Sequence, residues 1–441
     1  MVRILDLYCG MGGLSLGFAL ALRGVEIVGL DIDGDAVETY NLNLNRLGCK
    51  AYVQDVIKWE PSGEYDIVVG GSPCQPFSIA NNRKPGEKHP LFPTFPRFFD
   101  VVLTLKPKLF LLENVKGLTM RKHRHHLEKQ LARVSRDYVV EWRVLNAVDY
   151  GVPQRRERLF VIGVRRDLGL RPRFPPITHS EREGVGLDGR KIHKWLTLGE
   201  AIGDLLAVVP VESPREASFV ALSREQVERI KREREEPDVH GHWGRMDFPD
   251  GLDRPARTIS SHTIEGTKRE TIVLPLIPDH VMTPGGGWDN PRSDWGSRVM
   301  DLGRPAYTIT EKHRSGQLVP VPPTTSEAMG RPSPSLVADA RIYATGRREH
   351  GRDAEKGCYR RLTVRECLRV QSFPDWWRFP GHVSISKRYR LVGEAVPPVF
   401  AYRLAIAIAK TLGLETREPP REEEWRLPYF KRAFADYFGG D

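Results

Sequence analysis

Cysteine is scarce in this chain of 441 residues. Five are scattered along it (Cys9, Cys49, Cys74, Cys358 and Cys367), odd in number and never in a Cys-x-x-Cys pair. That spacing excludes a disulfide framework and a thiolate zinc site, so no metal is expected. It fits a reduced, intracellular protein in which one thiol has a task. No apolar run approaches the length needed to cross a membrane, and no membrane partner is expected. No signal peptide is expected either, because the strand-like run Val2–Tyr8 begins at once; the expected location is the cytoplasm. Acidic residues are in deficit, 57 against 67 Lys and Arg, for a net charge of +10. That favours a polyanionic partner, although mild basicity is compatible with many other proteins. With 40% hydrophobic and 28% charged residues the chain is not wholly disordered, and its length suggests two or three domains.

The first third alternates short apolar runs with helical patterns. Strands are expected at Arg3–Tyr8, Val25–Asp31, Asp66–Gly70, Lys108–Glu113, Val139–Leu145 and Leu159–Val164, with helices at Leu14–Leu22 and Ala36–Leu47. This alternation predicts an α/β fold with a doubly wound, mostly parallel sheet. Near Arg171 the texture changes: Pro, Gly, Arg and Trp become frequent and the rhythm fades until about residue 355. An internal repeat lies there. Asp253-Arg254-Pro255-Ala256-Arg257-Thr258-Ile259 is echoed by Gly303-Arg304-Pro305-Ala306-Tyr307-Thr308-Ile309, and faintly by Gly330-Arg331-Pro332-Ser333-Pro334-Ser335-Leu336. An Arg-Pro turn entering a short Thr-Ile strand suits irregular β-structure that presents loops; the plainer reading is a set of similar turns. Helical patterning returns at Thr363–Val370 and Pro398–Leu412. The expected domains are therefore 1–170, 171–355, 356–412 and a charged tail, 413–441, which is either a packing arm or a partly ordered end.

Two segments carry chemistry. Asp6-Leu7-Tyr8-Cys9-Gly10-Met11-Gly12-Gly13 joins the first strand to the first helix, where glycines let backbone approach a ligand and the helix offers free N–H groups. Ser15 stands where a dinucleotide fingerprint would have its last glycine, which weakens a nicotinamide reading. Asp31 and Asp33 are suited to ribose hydroxyls, and Asp55 to an adenine amine. The second segment, Gly70-Gly71-Ser72-Pro73-Cys74-Gln75-Pro76-Phe77-Ser78, puts a cysteine just beyond a buried strand, at the edge where such sheets place ligands. A thiol there is either a nucleophile, its pKa set by nearby cations, or a small inert hydrophobe.

In order along the chain, Asp6–Gly13, Pro73-Cys74-Gln75, Glu113-Asn114-Val115, Gln154-Arg155-Arg156-Glu157-Arg158, Arg361-Leu362-Thr363-Val364-Arg365-Glu366 and Gly393-Glu394-Ala395-Val396 resemble the motifs of the DNA cytosine-C5 methyltransferases. The resemblance covers nearly everything outside the middle region. It implies the class I methyltransferase fold, S-adenosyl-L-methionine as cofactor, and an inserted, irregular β-rich target-recognition domain. It also implies that Cys74 adds to carbon 6 of a flipped cytosine in a short duplex sequence. Glu113 would hydrogen-bond the base at N3 and its amine, Arg156 would take O2, and Arg158 would support the pocket. The cofactor would lie on Tyr8, Gly10, Gly12, Gly13, Leu14, Asp31, Ile32, Asp55, Val56, Pro73, Leu91, Ala395 and Val396. DNA would meet Gln75, Ser78, Asn82, Arg83 and Lys84 in a mobile loop, Ser78–Pro90. Base contacts would follow the repeats, at Arg257, Ser260, His262, Lys268, Arg269, Lys312, His313 and Arg314.

The expected partner is double-stranded DNA, bound by a monomer, with a cognate restriction endonuclease acting separately left open. One departure stands out: Glu394 follows Gly393 where the family has Asn, and a carboxylate there must turn away or find a cation such as Arg390. The run Arg121-Lys122-His123-Arg124-His125-His126 is read as a basic, solvated face away from the motifs. Two rivals share these residues: a transfer-RNA cytosine methyltransferase, against which the large middle region argues, and a non-catalytic DNA-binding relative, against which the complete motif set argues.

Overall fold

The computed structural model describes residues 1–78, 86–186, 188–206 and 362–438, with the backbone of four short strands between residues 273 and 361. Contacts divide the chain into two units. The first comprises Met1–Leu196, Gln371–Ser384 and Glu394–Asp441, and the second Thr197–Val370 and Ile385–Gly393.

A seven-stranded sheet forms the centre of the first unit, its inner strands being apolar runs buried on both faces. The seven strands are β1 (Val2–Leu7), β2 (Val25–Asp31), β3 (Cys49–Val53), β4 (Ile67–Gly71), β5 (Leu109–Val115), β6 (Tyr138–Asn146) and β7 (Glu157–Arg165). Their spatial order is β3-β2-β1-β4-β5-β7-β6. The strands β1 to β5 run parallel, and β7 lies antiparallel between β5 and β6. This is the α/β doubly wound sheet expected from the sequence. The order reverses between β1 and β4, so the loops leaving these two strands share the switch point where such sheets bind ligands. One of those loops is the glycine turn; the other carries Cys74.

The helices follow from their faces and caps. Helix α1 (Gly13–Ala21) is buried along its whole length, against the apolar helix Pro398–Leu412; a helix apolar all round belongs in a core. Helix α2 (Gly34–Leu44) starts ahead of the expected Ala36 because the Asp33 carboxylate caps it, accepting from the N–H groups of Asp35 and Ala36. That use engages Oδ1 of a carboxylate whose place after β2 also suits ribose hydroxyls. Helix α3 (Thr94–Leu105) turns Phe98 and Phe99 onto Phe110, which in turn meets Tyr138, and Phe95 onto Phe77. Helix α4 (Arg124–Val134) covers the same side. The expectation that no apolar run approaches membrane-spanning length is corrected: among the described residues one run, Ile385–Leu412, is long and apolar enough to cross a bilayer, but 89% of its most apolar window is buried inside the protein, as in a core helix.

The first unit runs on past the expected boundary at residue 171, to Leu196. Two anchors explain this. Trp195 donates to Asp149 at 2.9 Å beneath the Arg155 guanidinium, and the buried His179 donates through Nε2 to the Arg432 carbonyl at 2.9 Å. Burial pushes His179 down to about 4. Its folded value therefore lies below the unfolded one, so the unfolded chain binds the extra proton as pH falls. Stability attributable to His179 is present above about pH 6.5 and is lost towards pH 4, by about 2 kcal/mol between pH 7 and pH 5. Urea unfolding at both pH values checks this: the loss should shrink by that amount in His179→Gln, and an identical loss in the variant would refute it.

The end of the chain, left open between arm and tail, packs as an arm: Trp425, Phe430 and Phe434 are buried, the first and last against Tyr402. The second unit holds α5 (Leu198–Leu206), α6 (Val364–Val370) and two antiparallel pairs of short strands, Val273–Pro275 with Tyr359–Arg361 and Ala306–Ile309 with Leu318–Val321. Ala306–Ile309 is the short strand expected after the second Arg-Pro turn. Thr197 with Glu200, and Thr363 with Glu366, close reciprocal caps on α5 and α6. The Thr and Glu of the Arg361–Glu366 motif are thus a helix start.

Candidate active site

Strand β4 ends at Gly71, and Ser72-Pro73-Cys74 turns into a single 3₁₀ turn, Gln75–Phe77. Cys74 is half-buried at its head, with Pro73, Gln75 and Ser78 half-buried around it. Asn114, fully buried, holds this turn through its amide, which donates to the Ser72 carbonyl at 3.2 Å and hydroxyl at 3.0 Å. The parallel register sets Gly71 opposite Glu113, so close that a methyl group on Gly71 would lie 2.9 Å from a Glu113 oxygen.

Strand β7 brings the cations. Its antiparallel register pairs Arg158 with Val115, two residues beyond Glu113 on the same face. The Arg158 Nε meets Glu113 Oε1 at 3.0 Å, with side chains only 13% and 11% exposed. Arg156 precedes the strand and is buried; its N–H donates to Asn146 Oδ1 at 2.8 Å and its carbonyl accepts from Ala147. The expectation gave Arg156 the leading part and Arg158 a supporting one. The geometry puts Arg158 on the carboxylate.

The four groups feel one another. Burial pushes the Cys74 thiol up; Arg158 draws it down, Glu113 and Glu394 push it further up, and Arg156 opposes them. Burial also raises Glu113, against Arg158 and Arg156. Arg156 is pushed down to about 9 by burial and by Arg158, against Glu113, Cys74 and Glu394, and stays charged at neutral pH. The resting thiol is therefore protonated, in a site whose two guanidinium groups favour an anion once one forms. Glu394 is exposed, and its charge falls on this cluster. Its carboxylate thus lies within the electrostatic reach of Cys74 and Arg156.

The glycine turn lies beside this group, at the carboxyl end of β1. Positive φ at Gly10 and Gly12 shapes it, and Asp31 ties it to β2: one carboxylate oxygen accepts from the Gly10 N–H at 2.8 Å, the other from Asp33 at 2.9 Å. Ser15 is fully used inside, donating to Asp6 at 2.6 Å and accepting from Tyr40 at 2.9 Å. Gly13 lies against the Val396 carbonyl, with Ala395 half-buried beside it. Leu14 and Val56 are buried in the core. Tyr8 sends its hydroxyl to the Thr94 carbonyl at 2.9 Å, and Asp55 accepts from the Ile57 N–H at 3.0 Å. A methyl group at Gly10 would meet nothing within 4 Å, and Ile32 is 68% exposed. Open space at the turn, an apolar side chain beside it and a carboxylate at the end of β2 fit an adenosine-bearing ligand. Leu91 is 38% exposed.

Other expectations fare differently. Asn82, Arg83 and Lys84 lie outside the described residues, as do Arg257, Ser260, His262, Lys268, Arg269, Lys312, His313 and Arg314. Among the described residues no cluster of three acidic, histidine or cysteine side chains is arranged to hold a metal. The basic run at 121–126 is corrected: Arg121, Lys122, Arg124 and His125 are exposed, but His123 and His126 are buried. Three residues apart, they share one helical face with Leu127 and Gln130, and both rings pack on Phe77, at 5.6 and 6.1 Å. Phe77 is three residues from Cys74, so this helix supports the cysteine turn. Asn114, Asn146 and the fully buried Gln154, whose amide has no hydrogen-bond partner among the described residues, were passed over; their places inside or beside the motifs were the available signal.

The profile of the C-5 cytosine-specific DNA methylases matches residues 2–410. The type II methyltransferase M.XorII of Xanthomonas oryzae pv. oryzae is 30% identical over 431 residues, which cover 94% of this chain and 86% of that protein. The type II methyltransferase M.AplI of Arthrospira platensis is 27% identical over 438 residues, covering 97% and 92%. The crystal structure of a Spodoptera frugiperda DNMT2 mutant, 17% identical, shares the fold with a TM-score of 0.53, over 92% of this chain and all of that one. A match that opens in β1 and closes in the helix packed on α1 takes in the whole catalytic sheet and the region inserted into the chain after it, and the chain belongs to the C-5 cytosine-specific DNA methylase family.

Proposed function

We propose that Cys74 is the nucleophile of the DNA cytosine-C5 methyl transfer that this family performs, with Glu113, Arg156 and Arg158 holding the base. When bound, S-adenosylmethionine supplies an electrophilic methyl group on its sulfonium. The Tyr8–Leu14 turn, Asp31, Ile32, Asp55, Val56, Pro73, Leu91, Ala395 and Val396 hold it. The target cytosine must leave the duplex stack to reach Cys74. The thiol gives its proton to solvent, and Sγ bonds to carbon 6, making carbon 5 electron-rich. Negative charge spreads to N3 and O2 of the ring. Glu113, fixed by Arg158, hydrogen-bonds N3 and the exocyclic amine, and Arg156 steadies O2. Carbon 5 takes the methyl group, loses its proton to solvent, and the Sγ–C6 bond breaks to restore the ring and the thiolate.

The 3.0 Å pair of Glu113 and Arg158 at the end of the β5–β7 ladder, beside the turn that carries Cys74, supports this reading most directly. Gln75 and Ser78, half-buried on that turn, would meet the DNA together with Asn82, Arg83 and Lys84. The partner is duplex DNA, read by the second unit and bound by a single copy of the chain. The type II relatives make a cognate endonuclease its natural counterpart. The test is bisulfite sequencing of unmethylated plasmid incubated with protein and S-adenosylmethionine. Protection at one recurring short site is expected. No protection, from protein that binds both DNA and cofactor, overturns the reading.

A further inference from the structure

The family match ends at residue 410, yet described chain continues to Phe438, folded onto the first unit. What it touches there is the approach to the arginine motif. Arg403 is 5% exposed and grips Asp436 with both ends of its fork, at 2.8 and 2.6 Å; one nitrogen also donates to the Ala433 carbonyl at 3.0 Å. The rings of Phe434 and Tyr437 lie at 5.0 and 5.2 Å from the guanidinium. A buried fork of this kind fixes residues 433–437 in one geometry.

The Ala433 carbonyl oxygen sits directly against Gly151, where any Cβ would collide with it. Gly151 has φ +87° and opens the stretch Gly151-Val152-Pro153-Gln154-Arg155-Arg156. The preceding ring, Tyr150, stacks on Phe400 at 4.9 Å, so the helix that carries Arg403 also grips this loop from within. On its other flank the arm meets the Lys194 carbonyl through Arg432 and His179 through the Arg432 carbonyl. The path from Asp436 through Arg403 and Ala433 to Gly151 thus ends at the loop that delivers Arg156 and starts β7.

We infer that the C-terminal arm, Leu427–Phe438, is a positioning element for the catalytic arginines, with Arg403, Asp436 and Gly151 its positioning residues. The inference rests on the roles proposed above for Arg156 and Arg158. The arm touches neither base nor cofactor; it sets where the two guanidinium groups stand relative to Glu113 and Cys74. A displacement of a fraction of an ångström there slows addition of the thiolate without disturbing the glycine turn on the far side of β4.

Asp436→Asn and Gly151→Ala test this in the full chain, with duplex DNA whose cytosines are replaced by 5-fluorocytosine, which arrests the reaction as a covalent complex. The rate constant for complex formation at saturating DNA and S-adenosylmethionine should fall about ten- to a hundredfold. The affinity for S-adenosylmethionine, and the amount of complex finally formed per cofactor-binding molecule, should stay as in the wild type. Asp436→Glu should recover part of the rate. An unchanged rate constant, with loss confined to the amount of active protein, would make the arm a stabilising cover and overturn the inference. Should Gly151→Ala not fold, Asp436→Asn decides alone. Arg158→Ala in the same assay separates the two levels. If it leaves the rate unchanged, the roles given to the arginines have failed. If it slows the reaction while the arm variants do not, only the positioning inference has.

Discussion

Cys74→Ala abolishes methyl transfer, by at least about 10⁴-fold, while binding of S-adenosylmethionine and of duplex DNA persists. The size of the loss follows from the absence of a substitute thiol among the described residues. Cys9, Cys49 and Cys367 are buried. Burial pushes Cys9 well above the ordinary thiol value and Cys49 up to about 12, so neither supplies a thiolate near neutral pH. Among the described cysteines only Cys74 stands on a turn at the sheet edge under the influence of two guanidinium groups. A pH dependence accompanies the loss. Because burial raises Cys74 above its usual value, the thiolate fraction of the wild type grows roughly tenfold per pH unit through the neutral range. Complex formation with 5-fluorocytosine DNA should therefore accelerate as pH rises from 7 to 8. Methyl transfer in Cys74→Ala within a hundredfold of the wild type, or a covalent complex formed by it, would remove Cys74 from its proposed role.

How much of this was legible in the sequence depends on where its physical cause lies. The parallel strands read clearly because both of their faces are buried, as in Leu109–Val115, so their apolar character is continuous. Strand β3 was passed over for the opposite reason: at the sheet edge, only Cys49 and Ala51 of its five residues are buried. Composition suggested a boundary at residue 171, but Trp195 and His179 tie the following stretch to the first unit through partners distant in sequence. Within the site, motif order named Cys74, Glu113 and the two arginines. Which arginine meets Glu113 was not legible, because that depends on the antiparallel register of β5 and β7. The two histidines beneath Phe77 were hidden in a run of charges; their shared face appears only once the helix start at Arg124 is known.

That register makes Arg158→Ala the second large effect. The substitution leaves the Glu113 carboxylate buried with its nearest cation gone. An orphaned buried charge of this kind costs about 3–5 kcal/mol unless the group takes up a proton. Burial already holds Glu113 above the ordinary carboxylate value, with Arg158 the leading influence against it, so the variant's Glu113 rises further. A carboxyl group whose folded value is raised binds a proton that the unfolded chain releases above about pH 4.5. Stability from that group is therefore lost as pH rises through the folded value. The destabilisation of Arg158→Ala should be small at pH 5 and grow towards pH 8, seen as a falling urea midpoint. Adding Glu113→Gln should remove the growth, because no carboxylate then remains to ionise. Activity answers separately: with the base's hydrogen-bond partner unfixed, methyl transfer at pH 7.5 should fall about 10²- to 10³-fold. Equal destabilisation at pH 5 and pH 8 would show that Arg158 does not govern the Glu113 charge, and the pairing would then be a contact without a catalytic consequence.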